Sequence, residues 1–246
     1  NYLGLAEQAG ARVFPGRTAI SIVEIDGKWQ VLTRKSGSWF AGNSTFTGSE
    51  VIVAAGTYNS QKLLHRMRSN GNLSKISATL GRLSRTNSES LTGAIMKDRS
   101  IDFSQGAAIT SSFFPDERTH VEPVRYGKGS NLMGLLQTIM TDGWSAGARR
   151  KAWFRTLIKR PHLLGKILNV RRWSERAVIA LVMQNVDSSI RVKSKRGIFG
   201  WRLTSENDSE HPNATYIPVA NEVARNIANR YGGEAGGHIG DLIDTL

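Results

Sequence analysis

Few residue types that ordinarily carry out chemistry stand in working arrangements in this chain. No cysteine occurs among its 246 residues, which removes thiolate nucleophiles, disulfides, zinc–thiolate sites and iron–sulfur clusters together. His65, His162, His211 and His238 have no metal-ligand spacing with one another or with carboxylates, so no metal site is expected. Ser-centred hydrolysis finds no G-x-S-x-G elbow. His120 and Glu122 are two apart and share one strand face. A structural His–Glu hydrogen bond is the common outcome of that spacing, and no catalysis is assigned to it. Glu175, in "WSERAVIAL", stands at the mouth of an apolar run with Arg171, Arg172 and Arg176 around it. An ordinary ion pair would account for that neighbourhood. Redox chemistry would have to come from a cofactor.

One stretch does suggest a ligand. In "EVIVAAGTYNSQKLLHRM", Glu50 to Met67, an aliphatic run ends in Ala54-Ala55-Gly56 and the chain turns amphipathic. The pattern predicts a buried parallel strand over 51–55, then a helix with Leu63, Leu64 and Met67 on one face. Small residues at the carboxyl edge of such a strand let a ligand approach the backbone closely, where doubly wound sheets bind nucleotides. Turn geometry alone is the other reason for a glycine there. The dinucleotide fingerprint G-x-G-x-x-G is absent from the chain.

The elements that would position these residues divide into two styles. "YLGLAEQA" (2–9) reads as a helix closed by Gly10, and "ARVFPG" as a strand. "AISIVEI" and "KWQVLTR" flank Asp26-Gly27, a strong hairpin signal, and "STFTGSEVIVAAG" extends the meander. A boundary falls near the polar stretch 80–90. Beyond it, "GAAITSSFF" and "THVEPVRY" read as strands separated by a Pro-Asp turn, with Pro123 marking an edge or bulged strand. A helix is expected over 149–169, an apolar strand over "RAVIALVMQ", and a hairpin around Gly197–Gly200. Pro218 opens a last helix whose stripe is Val219, Val223, Ile227 and Tyr231, stopped by Gly232-Gly233. The fold class expected is α/β plus α+β: an α/β part with a β-meander, then a mainly antiparallel sheet with helices.

The net charge is +13, and its location matters more than its size. From Arg149 to Arg176 there are ten Lys or Arg against one acid, Glu175. Interleaved Trp153, Phe154, Leu157, Ile158, Leu164 and Leu168 make this stretch basic and amphipathic, which suits an anionic membrane surface. The other reading is a helix whose apolar face covers its own domain while its cations are solvated. No recognised nucleic-acid motif accompanies the charge, and no specific nucleic acid is expected. No signal segment or long apolar run is visible, so a soluble chain is expected, with the cytoplasm favoured.

At this point the residues resemble a family. "VIVAAGTYNSQKLLHRMRSNGNLSKISATLGRLSRTNSES" is similar to a segment of the glucose–methanol–choline oxidoreductases, particularly their bacterial cholesterol-oxidase-like branch. "ITSSFFPDERTHVEPVRYGKGSN", "RRWSERAVIALVMQ" and "YIPVANEVARNIANRYGGEAGG" continue the likeness, which covers nearly the whole chain and is poorest over 130–170.

The resemblance implies a FAD-binding α/β domain interleaved with a substrate domain, taking hydride from an alcohol carbon, a sterol among the candidate substrates. It implies that 1–90 is the second part of the FAD domain, 91–235 the substrate domain and 236–246 the start of a return to the first. It also implies that the FAD fingerprint precedes Asn1 and that a catalytic histidine motif follows Leu246. Ala19 would contact the adenine part of FAD through its backbone. Ala55 and Gly56 would lie near the phosphate and ribose, and Asn87 near the flavin, where its amide could bond a ring edge or only fix its own loop. Glu175 matches a glutamate facing an apolar steroid cavity, where a raised pKa would suit proton shuttling. The alternative to an oxidoreductase is a basic, non-catalytic module that docks on a membrane or polyanion.

Overall fold

The computed structural model describes residues 2–38, 42–198 and 200–243. In chain order the elements are α1 (Tyr2–Gln8), β1 (Arg17–Ile25), β2 (Lys28–Lys35), β3 (Asn43–Gly48), α2 (Gly56–Ser69), β4 (Glu89–Met96), β5 (Phe113–Asp116), β6 (Thr119–Val124) and β7 (Gln137–Ile139). They continue with α3 (Ala146–Lys159), α4 (His162–Ile167), α5 (Trp173–Arg176), β8 (Ala177–Gln184), β9 (Ile190–Gly197), β10 (Gly200–Asn207), α6 (Pro218–Arg230) and β11 (Gly233–His238). Together they make a mixed α+β chain that divides into two compact units, Asn1–Ser84 with Arg191–Glu206, and Arg85–Ile190 with Asn207–Leu246.

In the first unit β1, β2 and β3 form an antiparallel meander. Its first turn is the expected one: Asp26 and Gly27 have φ of 50° and 71°, the two positive values a tight hairpin needs. The β1–β2 register shifts between Ala19 and Ser21, so Ile20 forms a bulge. The outer edge of β1 is met by α2: the Ile22 N–H lies 3.2 Å from Met67 Sδ, and Met67 is 1% exposed. The β9–β10 hairpin joins this unit through the Val192 N–H, which donates to the Gly81 carbonyl at 2.8 Å.

Two expectations fail here. Residues 11–16 form no strand, and 51–55 run without a ladder, with Ile52 88% exposed. Strand pairing needs a partner backbone, and among the described residues none pairs with 51–55. The aliphatic run is thus not the buried parallel strand its pattern suggested.

The second unit is built on a six-stranded sheet of order β5-β6-β8-β4-β11-β7, antiparallel at every described ladder. The period of two along β8 decides its layers. Ala180 and Val182 face α6, packing with Val121, Ile217, Ala220 and Val223. Burying such Val or Ile side chains is worth about 1.5–3 kcal/mol each. Ala177 and Ile179 face the other way, packing with Ile95, Trp173, Tyr126 and Met133. The helix over 218–230 starts at Pro218 and presents the expected stripe, except that Tyr231, 46% exposed, lies past its end and meets Phe103 edge-on.

Other details differ from expectation for local reasons. Pro115 and Asp116 sit inside β5, and the chain reverses at Glu117-Arg118. Pro123 lies in β6 beyond the point where β5 pairs with it, so its missing N–H costs no ladder bond there. The helix over 149–169 is two helices, broken at Arg160-Pro161 because proline cannot continue an α-helical ladder. β4, β7 and β11 carry no pattern that the sequence reading recognised as strand.

Candidate functional site

The first unit holds a cavity of about 830 Å³ in which two expected cofactor residues meet. Ala19, on β1, and Ala55, at the start of α2, both line it and both are exposed. α2 contributes Ala55, Asn59, Lys62, Leu63, Arg66 and Asn70, a spacing that keeps one helical face turned to the cavity. β1 contributes Arg17, Thr18 and the bulged Ile20, β2 Arg34 and β10 Trp201. The wall therefore carries Arg17, Arg34, Lys62 and Arg66 and, among the described residues, no carboxylate.

Two further features bear on what this cavity can hold. The N-terminus of α2 has no side-chain cap: Ala55 is the N-cap residue, and its own N–H donates to Ser60 Oγ at 3.0 Å. Uncapped first-turn amides together with the helix dipole favour an anion. Trp201 Nε1 is buried and has no hydrogen-bond acceptor among the described residues, an unsatisfied donor of the kind a ligand oxygen or a water would complete. Four cations and an indole donor make a set that fits an anionic nucleotide. Gly56 does not line the cavity. It is exposed at φ 72°, and a Cβ there would have nothing within 4 Å, so its backbone conformation rather than crowding explains the glycine.

Asn87 lies in the second unit and is exposed. Its Nδ2 donates to Glu89 Oε2 at 2.5 Å, and its carbonyl accepts from the Gln184 N–H. That bond fixes its own loop, one of the two uses expected of this amide.

The second unit holds an apolar cavity of about 280 Å³ on the sheet face opposite α6. Leu91, Val124, Met133, Ile179 and Leu181 supply its hydrocarbon, and Tyr126, Gln137, Trp173 and His238 its polar groups. Gln137 is 7% exposed; its Oε1 accepts from Trp173 Nε1 at 2.9 Å, while its Nε2 has no partner. One unsatisfied amide donor in an apolar wall is what a ligand hydroxyl or carbonyl would complete. His238 accepts the Gly240 N–H at Nδ1, which puts the proton of the neutral ring on Nε2. Sequence reasoning missed Gln137 and Trp201 because nothing local to either marks an unsatisfied atom, and it weighed His238 only as a metal ligand.

Glu175 is not in the wall of this cavity. It sits in α5 at the entrance to β8, 5% exposed, with Oε2 2.5 Å from Arg172 Nε and Oε1 3.5 Å from Lys128 Nζ. The hydrogen bond from Arg172 dominates, outweighing burial, and with Lys128 it holds the carboxyl below its ordinary value. The expected rise in pKa is thus corrected to a fall, because the apolar setting comes with two cations. His120 and Glu122 share a face as expected, Nε2 to Oε1 3.9 Å, with the His120 ring stacked on Phe114.

The basic stretch splits by role. Arg149 is 1% exposed and donates to the Asp241 and Gly143 carbonyls; Arg176 is 6% exposed and donates to the Asn169 and Arg171 carbonyls. Trp153 turns inward, its Nε1 donating to Thr138 Oγ1. Phe154 and Ile158 point outward, 58% and 80% exposed, beside the exposed Lys151, Arg155 and Lys159 on α3. Among the described residues no helix is long and apolar enough to cross a membrane.

Comparison with known proteins gives a consistent direction. The chain is 47% identical, over 253 residues and 99% of its length, to proteins named cholesterol oxidase from Mycobacterium tuberculosis strains CDC 1551 / Oshkosh and ATCC 25618 / H37Rv. It is 34% identical, over 243 residues and 95% of its length, to a cholesterol oxidase from Acinetobacter baumannii. It spans 44% of the first two proteins and 43% of the third, less than half of each. No family model matches the chain.

Proposed function

We propose that this chain contributes to a FAD-dependent oxidoreductase of the glucose–methanol–choline type, which oxidises the hydroxyl of an alcohol, with a sterol as its substrate. The observation that carries the reading is the meeting of Ala19 and Ala55 in one four-cation cavity. Its likeness to proteins named cholesterol oxidase supports the sterol.

In this reading Arg17, Arg34, Lys62 and Arg66 neutralise the nucleotide phosphates, and Trp201 donates to a ligand oxygen or ring nitrogen. Ala19 and Ala55 leave the backbone open to close approach. Bound FAD supplies the acceptor for hydride from the carbinol carbon. The apolar wall of Leu91, Ile179 and Leu181 excludes water from an apolar substrate, and the Gln137 amide donates to its oxygen. Glu175 does not enter this reading as a proton carrier: its ion pair with Arg172 fixes the turn that leads into β8. The test is anaerobic addition of a sterol to the full-length protein. Bleaching of the visible flavin band by a sterol, and not by a short-chain alcohol, is expected; a colourless protein, or a band that no alcohol bleaches, contradicts the reading.

A second reading has its own observation, the outward Phe154 and Ile158 beside Lys151, Arg155 and Lys159. These residues would meet an anionic membrane surface, either as the place where a sterol oxidase reaches its substrate or as the whole function of a non-catalytic module. Co-sedimentation with anionic vesicles that weakens with salt and with the F154S/I158S double variant is expected. Equal pelleting by neutral and anionic vesicles would exclude it.

A further inference from the structure

α2 lines a second cavity in the first unit, and it does so with a different face. His65 and Arg68 lie far around the helix from Ala55, Asn59, Lys62 and Arg66. This second cavity, of about 360 Å³, is walled by His65, Arg68, Arg82, Arg191, Lys193 and Ser194, with apolar side chains in minor part. Four permanent cations therefore converge on it. Lys193 is paired with Glu206, and Arg68 donates to the Ser77 carbonyl. Arg82 and Arg191 make no ion pair among the described residues.

His65 supplies the second, independent observation. It is 1% exposed, and neither ring nitrogen has a hydrogen-bond partner of good geometry. The ring is fixed by close packing: a Cβ on Gly81 would stand 2.9 Å from His65 Nε2 and 2.1 Å from the Val192 carbonyl oxygen. A buried polar ring costs stability unless something satisfies it. The Val192 carbonyl favours the protonated ring only weakly, and burial followed by the Arg68 charge holds its pKa below the ordinary value.

We propose that this cavity is an anion site that takes a dianionic phosphate group, with Arg82 and Arg191 as its unpaired cations and His65 as its buried donor. The excess of cations selects for charge, and the paired state of Lys193 leaves the two arginines to form the bidentate contacts that phosphate geometry suits. Free phosphate and a small phosphomonoester present the same group. The site does not depend on the oxidoreductase reading, because none of its residues lines the cavity around Ala19 and Ala55.

The experiment is an NMR titration of the histidine rings in full-length protein, with the His65 signal assigned by its loss in H65Q. It is run in three arms at matched ionic strength: inorganic phosphate, glycerol 3-phosphate and sodium chloride. Either phosphate is expected to raise the His65 pKa, because a neighbouring dianion favours the imidazolium against Arg68, Arg82, Arg191 and Lys193. R191S, an exterior change that spares the packed ring, is expected to weaken phosphate binding about tenfold. Tighter binding of glycerol 3-phosphate than of inorganic phosphate marks an ester as the ligand, and equal binding marks the free ion. A His65 titration that moves equally in the chloride arm, or in none, overturns the proposal and leaves water as the occupant, whatever the flavin content of the protein.

Discussion

Gln137 fills the place where a Cβ on Gly236 would stand. Its Nε2, Cγ and Cδ lie 2.5, 2.8 and 2.9 Å from that position. The two residues belong to paired strands, β7 and β11, and β11 is also held by β4. Neither backbone can move aside cheaply, and Gln137 is tied to Trp173. Gly236→Ala is therefore expected to destabilise the second unit by about 1–3 kcal/mol, the cost of overpacking a filled site. Denaturant midpoints measure it, and an unchanged midpoint would mean that Gln137 is mobile.

The Arg172–Glu175 pair makes stability depend on acid in a defined direction. The folded carboxyl lies below its ordinary value of 4.5. Its stabilising contribution is therefore complete above that value and is lost as pH falls through the lower, folded one. Thermal melts of the wild type and Glu175→Gln should differ most near neutrality and converge as pH falls through the lowered, folded value. A difference that grows on acidification would reverse the assigned sign.

Tyr216 should resist ionisation. Burial, then its hydrogen bond to Asp142 Oδ1 at 2.6 Å, pushes its hydroxyl up to about 12. Its ionisation step should appear near pH 12 in the ultraviolet titration of the folded protein and move down in the unfolded protein. Stability tied to it is present below pH 10 and is lost as pH rises through the folded value. Tyr216→Phe should remove that late step, and a folded variant that keeps it would contradict the assignment.

What the sequence made legible was local. Asp26-Gly27 sets its own turn, and Pro218 with Val219, Val223 and Ile227 sets its own helix. β11 was not legible, since "GEAGGH" has no alternation and its partners, Ala94 and Ile139, lie far off in the chain. The run 51–55 misled for the opposite reason: aliphatic residues predict burial, but a strand also needs a neighbour. Pro161 was visible and should have broken the helix. Arg172, three residues before Glu175, was equally visible, yet its effect on the carboxyl depends on both being held at the entrance to β8. The unsatisfied atoms of Gln137, Trp201 and His65 exist only once distant segments close around them, so no local pattern announces them.

The proposed nucleotide site at Ala19 and Ala55 is tested directly by filling it. Ala55→Phe in the full-length protein adds a ring at an exposed N-cap position, where the fold has no need of the methyl group. The measurement is the ratio of visible flavin absorbance to protein absorbance after purification, with circular dichroism as the check on folding. A folded protein that has lost most of its flavin is expected; a folded variant with the flavin content of the wild type would contradict the proposed nucleotide site.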